Sequence, residues 1–349
     1  MSERFGKPVA EYLRLQQAFY DLAENDKLVA ALAASDRLYR GGPARAQCKL
    51  CAAALAGRLF RRAGIDYSLC PSCGHLNGHY QDTEAYNLAN YDDHGTGHYA
   101  SIYQDQAREA YDRRRQDIYE PKVAFLIDAL RAAGEQPEQL AYADFGAGTG
   151  HLVAAMLAKG LTRVAGYEVS QAQVDLGNRM IGRELMAGHG LAETLVLAAN
   201  VQADVVSSVF HLEHVADPLG LMLALRGNAR VRYLLLAVPL FSPATLLQLV
   251  FPEVMPRVLG LGHTHLFTPS SLRWLLARAG VETLAEWWFG GDMVDLHRSV
   301  GVHLAQKPEL APAAPAWHAM ILSALDELQL AIDRAKLSSE VHLVLRFGR

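Results

Sequence analysis

The sequence predicts an α/β fold preceded by a small metal-binding module, and three observations carry that prediction. From about residue 140, short apolar runs alternate with amphipathic helices, which is typical of a parallel sheet with helical crossovers. A glycine-rich turn joins the first apolar run to the helix that follows it. All four cysteines of the chain lie between Cys48 and Cys73, ahead of that region.

The individual elements follow from hydrophobic periodicity and turn residues. Residues 2–39 are predicted to be mainly helical, and the stretch 80–103, rich in Tyr, His, Asn and Asp, is predicted to be an ordered loop region. Further helices are expected over 103–118 and from Pro121, because proline suits the first turn of a helix. Strands are predicted at 141–145, 163–168, 194–198, 204–209, 232–238, 281–289 and 340–347, with a helical stretch at about 315–337.

Length and charge limit the classes of function that are open to this chain. Its 349 residues are enough for two or three domains. No apolar run approaches the roughly 20 residues of a membrane-spanning helix, and the N-terminus lacks the pattern of a secretory signal, so we expect a cytoplasmic protein. The net charge of −4, from 33 basic and 37 acidic residues, argues against a nucleic-acid partner.

The cysteines form two pairs, Cys48 with Cys51 and Cys70 with Cys73, in the pattern C-x₂-C-x₁₈-C-x₂-C. In a reducing cytosol this paired spacing indicates a metal site rather than disulfides, and four thiolates surround Zn²⁺ tetrahedrally. A site closed by four cysteines leaves no open coordination position. We therefore predict a structural zinc ion that contributes to folding and not to catalysis.

The strongest local signal is the run Asp144-Phe145-Gly146-Ala147-Gly148-Thr149-Gly150. Glycine lets the backbone turn tightly and approach a ligand, and the helix that follows offers free N–H groups at its N-terminus. The second predicted strand ends at Glu168, whose carboxylate is placed to accept both hydroxyls of a ribose. Because the glycine spacing is G-x-G-x-G, it differs from the G-x-G-x-x-G of dinucleotide-binding folds.

This spacing resembles the first motif of class I S-adenosylmethionine-dependent methyltransferases, and the resemblance covers about 120–349. Leu212-Glu213-His214, followed by Asp217-Pro218, is similar to the segment after the fourth strand in that superfamily, and Val238-Pro239 matches the end of the fifth. The resemblance implies a Rossmann-like sheet that is mostly parallel with an antiparallel last strand. It also implies S-adenosylmethionine as the cofactor.

The resemblance further implies a set of cofactor-binding residues. Asn200 is the candidate for the contact with the adenine amino group, because the predicted third strand runs almost directly into the fourth and leaves few polar residues between them. The full set consists of Asp144, Gly146, Gly148, Gly150, Glu168, Asn200 and Phe210.

A zinc module ahead of such a core resembles sugar C-methyltransferases and their relatives in surface-polysaccharide pathways. The segment from His263 to Leu272 is similar to the pattern H-x-H-x-F-(T/S)-x-x-S-L of that subgroup. The resemblance implies methyl transfer to carbon or oxygen of a sugar or nucleotide-sugar, in a polysaccharide or natural-product pathway. It also implies a region 1–100 with helix, zinc module and lid-like loop at 91–99, and a methyltransferase domain at 101–349 with a helical insertion at about 291–337.

Transfer to a hydroxyl or carbon acceptor requires a base, and histidine is suited because its pKa lies near neutrality. His214 lies just past the fourth strand. His263 and His265 alternate on an extended segment after the fifth strand, so both side chains are expected to point to one side. We predict that the catalytic base is among these three histidines.

Two alternatives stay open at the level of sequence. An RNA base methyltransferase with an N-terminal zinc ribbon fits the same motifs, although the acidic balance of the chain argues against it. A non-catalytic scaffold, in which the zinc module mediates protein contacts, also fits, although the intact glycine turn argues against it. The acceptor and the oligomeric state stay open, since a fold does not specify them.

Overall fold

The computed structural model describes residues 1–9, 13, 22–91, 107–260 and 262–348. The predicted lid at 91–99 lies outside these residues from position 92 onward. The strands are β1 (Ser2–Phe5), β2 (Phe60–Arg62), β3 (Ile65–Leu69), β4 (Leu76–Gly78), β5 (Tyr142–Phe145), β6 (Val164–Glu168), β7 (Met186–Gly188), β8 (Val205–Val209), β9 (Tyr233–Pro239), β10 (His265–Leu266), β11 (Val281–Phe289) and β12 (Glu340–Phe347).

Eight of these strands form one sheet in the order β1-β11-β12-β9-β8-β5-β6-β7. β5 pairs in parallel with β6 and with β8, and β8 pairs in parallel with β9. The last strand, β12, runs antiparallel between β9 and β11. The predicted Rossmann-like α/β fold is therefore confirmed. Its strand order reverses between β5 and β8, which is where ligands bind in open α/β sheets, beyond the carboxyl ends of the strands.

Helices connect the strands of the eight-stranded sheet and pack on both of its faces. No helix in the described ranges is long and apolar enough to cross a membrane. The helices are α1 (Leu22–Arg40), α2 (Glu84–Tyr91), α3 (Arg108–Arg114), a π-helical turn (Arg115–Tyr119), α4 (Glu120–Ala132), α5 (His151–Ala158), α6 (Gln171–Ile181), α7 (Thr194–Asn200), α8 (Pro218–Gly227), α9 (Pro243–Val250), α10 (Pro269–Ala279), α11 (Asp292–Ala305), α12 (Ala314–Leu322) and α13 (Leu325–Arg334).

The strand predicted at 194–198 is wrong, because these residues belong to helix α7. Thr194 and Ala198 are buried and lie four residues apart, whereas Val196 between them is 65 % exposed, which is the pattern of one helix face. The strand that pairs with the outer side of β6 is instead β7. A short apolar run fits a strand and a helix equally well, so periodicity alone does not separate them.

The predicted helix over 2–39 is also wrong at its start. Ser2–Phe5 forms the edge strand β1, which pairs in parallel with β11 near the other end of the chain. The Arg4 guanidinium lies 4.0 Å from the ring centroid of Trp287 and adds a cation–π contact to this pairing. The predicted loop region 80–103 contains helix α2. The pairing of β1 with β11 joins residues that are far apart in the sequence, so no local sequence pattern indicates it.

The cysteine module builds a second, antiparallel sheet in the order β10-β4-β3-β2. β10 comes from the later segment 263–272, so this sheet joins the module to the larger domain through the pairing of His265 with Asn77. Cys48, Cys70 and Cys73 belong to the same buried cluster as strands β8 and β9. The cysteine module therefore packs directly on the α/β domain. The predicted boundary between two domains at residue 100 stays a prediction.

Candidate active site

The glycine turn between β5 and α5 adopts a backbone that only glycine takes without strain. Gly146, Gly148 and Gly150 have φ angles of +68°, +54° and +74°. A Cβ added at Gly146 would lie 2.6 to 2.7 Å from side-chain atoms of His211, so space as well as φ requires glycine there. The turn therefore brings bare backbone to the edge of the sheet where a ligand binds.

Glu168 closes this turn from the end of β6. Its Oε2 accepts a hydrogen bond of 2.8 Å from the backbone N–H of Gly148. Its Oε1 accepts hydrogen bonds of 2.8 Å and 3.2 Å from the backbone N–H groups of Val169 and Ser170. Because backbone donors hold the carboxylate on two sides, its position is fixed before any ligand arrives.

Asp144 lies beneath the turn, at the carboxyl end of β5. The side chain is 3 % exposed, and its Oδ1 accepts a 2.5 Å hydrogen bond from the Ser207 hydroxyl. Burial raises the pKa of Asp144 to about 7, against the opposing effect of that hydrogen bond. The sequence places this acid two residues before the first glycine, and the structure keeps it at the wall of the site.

One cavity of about 540 Å³ lies over the turn. Its volume is within the range of small-molecule sites. Walls come from the glycine turn, from the end of β6, from the first turn of α7, from the segment after β8 and from the region of α2. The predicted site residues that line it are Asp144, Gly146, Gly148, Glu168, Phe210 and His214.

Two predicted cofactor residues, Gly150 and Asn200, are not among those that line the cavity. Gly150 is the left-handed residue at the start of α5, where a Cβ would lie 2.9 Å from Ile181. Asn200 is exposed at the end of α7, and its amide donates a 2.8 Å hydrogen bond to the Val196 carbonyl within that helix. At this side the wall is instead formed by Leu191, Ala192, Thr194 and Leu195.

The predicted histidines divide into two groups. His214 lines the cavity, and its ring stacks on that of His263 with centroids 4.9 Å apart. His265 is fully buried: its Nε2 lies 2.7 Å from the Glu213 carbonyl and its Nδ1 lies 2.8 Å from Nε2 of His75. Neither His263 nor His265 lines the cavity; His263 lies beside the Glu213 carboxylate and His265 beside the Glu213 carbonyl.

A family of methyltransferase domains matches this chain over residues 111–286, half of its length. The matched region contains the glycine turn, Glu168 and the whole segment after β8. The chain belongs to this family. It is an S-adenosylmethionine-dependent methyltransferase.

Solved structures resemble this methyltransferase in fold. A magnesium protoporphyrin IX methyltransferase from Synechocystis PCC 6803 is 17 % identical, with 58 % of this chain and 90 % of that chain covered and a TM-score of 0.42. A geranyl diphosphate C-methyltransferase from Streptomyces coelicolor A3(2) is 11 % identical, with coverages of 71 % and 88 % and a TM-score of 0.39. A search among curated proteins gives no match.

Residues outside the predicted set of site residues also line the cavity of the methyltransferase. The helix before the α/β region supplies Arg114 and Tyr119, the latter from the π-helical turn. Tyr111 and Tyr119 stack on His151, with centroids 4.1 and 5.2 Å from its ring. A π-helical turn often marks a functional site, but its local sequence does not announce it.

Phe210 is strained at the end of β8, with a φ of +55°. A non-glycine residue in the left-handed region is uncommon and often lies at a functional site. The Lys122 ammonium lies 4.8 Å from the centroid of its ring, and burial lowers the pKa of this lysine to about 7. The strained backbone turns the chain into the segment that carries His214.

The four predicted metal ligands come together in the cysteine module. The Sγ atoms of Cys48 and Cys73 are 3.7 Å apart, and those of Cys51 and Cys70 are 3.4 Å apart. All four Sγ atoms lie within 4.8 Å of one another. Four sulfur atoms at 2.3 Å around a tetrahedral zinc ion are about 3.8 Å apart, so the donor set and its size fit Zn²⁺.

Proposed function

We propose that this methyltransferase acts on a small polar molecule, a sugar or a nucleotide-linked sugar, and methylates it on carbon or oxygen. The observation that carries the proposal is one continuous cavity, which is bounded by the glycine turn at one wall and by His214 at another. Cofactor and acceptor then share one cavity, as transfer of a methyl group between them requires.

The cofactor is held, in this proposal, by Asp144, Gly146, Gly148 and Glu168. S-adenosylmethionine supplies a methyl group that its sulfonium already activates. The carboxylate of Glu168 is assigned to the ribose hydroxyls, because it lines the cavity and its Oε2 accepts only one backbone hydrogen bond, which leaves a second acceptor site on that oxygen. The segment from Leu191 to Leu195 offers an apolar wall to the adenine ring, in place of the contact expected from Asn200.

His214 is the histidine to which we assign activation of the acceptor, because it is the one of the three that lines the cavity. Burial holds the pKa of His214 well below its usual range, so the imidazole stays neutral and keeps a lone pair. His265 is proposed to be a positioning residue, since it contacts the Glu213 carbonyl and not the cavity.

A sugar as acceptor is supported by the polar side chains that the N-terminal region adds to the cavity. Glu84 and Asn87 from α2, with Asp217 after β8, offer carboxylate and amide groups that hydrogen-bond hydroxyls. These carboxylates are unsuited to the many phosphates of an RNA backbone, whereas the single diphosphate of a nucleotide-linked sugar can lie toward Arg114, which also lines the cavity. This observation favours a small molecule over RNA.

The four cysteines are proposed to hold one structural zinc ion. Each knuckle closes with a backbone hydrogen bond, from Ala52 to the Cys48 carbonyl at 2.9 Å and from Gly74 to the Cys70 carbonyl at 2.8 Å. The Asn77 amide lies 3.5 Å from Cys48 Sγ and donates to it. With four thiolates the metal has no open position, so its task is to hold the module against the core.

The test is a transfer assay with S-adenosylmethionine labelled on the methyl group. The purified chain is incubated with a panel of nucleotide-sugars, free sugars, small carboxylic acids and transfer RNA, and the labelled product is identified by mass spectrometry. We expect label in a sugar and loss of turnover in His214→Asn, while S-adenosylhomocysteine still binds. Label found only in RNA or only in the carboxylic acids would refute the proposal that the acceptor is a sugar.

A further inference from the structure

The turn after β8 contains a buried carboxylate that has no hydrogen-bond partner. Glu213 is 1 % exposed, and neither of its carboxylate oxygens accepts a hydrogen bond from another residue in the described ranges. Buried polar groups in native proteins are nearly always partnered, because burial removes the water that would otherwise bind them. An orphan carboxylate beside a cavity therefore points to a ligand that supplies the missing partner.

Two imidazole nitrogens face this carboxylate. Glu213 Oε1 lies 3.9 Å from Nε2 of His214 and 3.8 Å from Nε2 of His263, too far for hydrogen bonds. The two rings are stacked with an angle of 27° between their planes. One ligand atom from each of the three residues lies within 4.8 Å of the other two, so the three converge on one point.

The tautomer of His263 is set by its other nitrogen. Nδ1 lies 2.8 Å from the Val258 carbonyl, which can only accept, so Nδ1 carries the proton. In the neutral ring Nε2 then presents a lone pair toward Glu213. Histidines that ligate metals usually donate their second ring N–H to a carbonyl or a carboxylate in this way.

We propose that Glu213, His214 and His263 bind a divalent transition-metal cation, at a site separate from the four cysteines. Two imidazole nitrogens and one carboxylate oxygen suit Mn²⁺, Fe²⁺, Co²⁺ or Zn²⁺. Ligand bonds of about 2.1 Å place such atoms about 3.0 to 3.4 Å apart, so the 3.8 and 3.9 Å separations close by about 0.4 to 0.9 Å when the cation binds. Three protein ligands leave coordination positions open, unlike the closed cysteine site.

We place the open positions on the side of the cavity, because His214 is the ligand that lines it. A catalytic role for the cation rests on the proposed function, whereas the cation site itself does not. The cation orients the acceptor and lowers the pKa of its hydroxyl, whose proton leaves to solvent. The acceptor oxygen then bonds to the methyl carbon, while the carbon–sulfur bond breaks and leaves its electron pair on sulfur. His214 thus activates the acceptor as a ligand of the cation.

The cation site is tested by counting metal ions in the purified full chain. Each protein is equilibrated with Mn²⁺, free Mn²⁺ is measured by electron paramagnetic resonance, and all bound metals are counted by elemental analysis. Wild type is expected to hold one more divalent ion per chain than Glu213→Gln, which is isosteric and removes the charged ligand. His263→Ala is expected to lose the same ion, with its affinity lowered more than tenfold.

Glu253→Gln is the matched control, since Glu253 also contacts a histidine, His303, but lies outside the cluster. It is expected to hold as many ions as wild type. Equal metal counts in wild type and Glu213→Gln, with both proteins folded by circular dichroism, would overturn the proposal. Binding of S-adenosylhomocysteine to wild type, measured without added metal, tests the proposed function separately, so failure of one is not confused with failure of the other.

Discussion

The backbone N–H of Gly148 donates a 2.8 Å hydrogen bond to Glu168 Oε2 and so ties the glycine turn to the end of the neighbouring strand. The two residues are twenty positions apart in the sequence, and the parallel pairing of β5 with β6 brings them together. One carboxylate thus fixes the turn and also faces the cavity. Rigidity of the turn and recognition of a ligand therefore depend on the same side chain.

Glu168→Gln is expected to raise the dissociation constant of S-adenosylhomocysteine by about 10- to 100-fold. Hydrogen bonds to a charged group contribute about 1.5 to 3 kcal/mol, and glutamine replaces one accepting oxygen by a donor. Isothermal titration calorimetry measures the effect. Glu184→Gln is the control, because Glu184 accepts a hydrogen bond from Asn178 and does not line the cavity. Equal affinities of the two variants for S-adenosylhomocysteine would show that Glu168 does not bind the cofactor.

Gly146→Ala is expected to abolish cofactor binding and to destabilise the fold more than Gly160→Ala does. Both glycines have positive φ, so each alanine costs about 1 to 2 kcal/mol of backbone strain. Only at Gly146 does the new Cβ also meet another group, the side chain of His211, whereas nothing lies within 4 Å of it at Gly160. Urea unfolding compares the two variants. A smaller loss of stability at Gly146 than at Gly160 contradicts the close packing.

Most of the sheet could be predicted from the sequence, because its central strands are buried on both faces and read as continuous apolar runs. β9 is an example, since all seven residues from Tyr233 to Pro239 are buried. The same reasoning wrongly predicted a strand at α7, because the run from Leu195 to Ala199 is apolar on nearly all sides. Its helical state depends on packing against α8 and not on a distinctive pattern of its own.

Site residues could be predicted where the backbone conformation requires a particular residue type. They were harder to predict where packing decides which side chains reach the cavity. Gly146 and Gly148 are required by φ, so their spacing is visible in the sequence. His265 shares its motif with His263, yet it is sealed between His75 and the Glu213 carbonyl. A motif of side chains does not state which members reach a cavity. That depends on the sheet that β10 forms with the cysteine module.

Cys51→Ser is expected to remove one zinc ion per chain and to lower the unfolding temperature of the whole protein. The cysteines belong to the main buried cluster, so loosening the module exposes apolar core as well as the module itself. Elemental analysis and differential scanning calorimetry measure the two effects. Ser72→Ala, an exposed change between two ligands, is expected to alter neither. Loss of zinc with an unchanged unfolding temperature would mean that the module is not coupled to the core.

The stability of the fold is expected to depend on pH through the buried carboxyl of Asp144. Burial raises its pKa in the folded protein to about 7, above the value of 3.8 that it has when exposed. A carboxyl whose pKa is raised by folding stabilises the fold fully below its unfolded pKa, and this stabilisation is lost as pH rises through the folded pKa. Wild type therefore loses stability between about pH 4 and pH 7 relative to a variant without that carboxyl.

Asp144→Asn is expected to show this as a difference in unfolding temperature, variant minus wild type, that increases from pH 5 to pH 8 without cofactor. The amide keeps an oxygen to accept the Ser207 hydrogen bond but carries no charge to bury. Asp128→Asn, at an exposed position of α4, is expected to give a difference that stays flat over the same range. If the two variants give parallel curves, Asp144 is not protonated in the folded protein and the charge at the wall of the cavity is permanent.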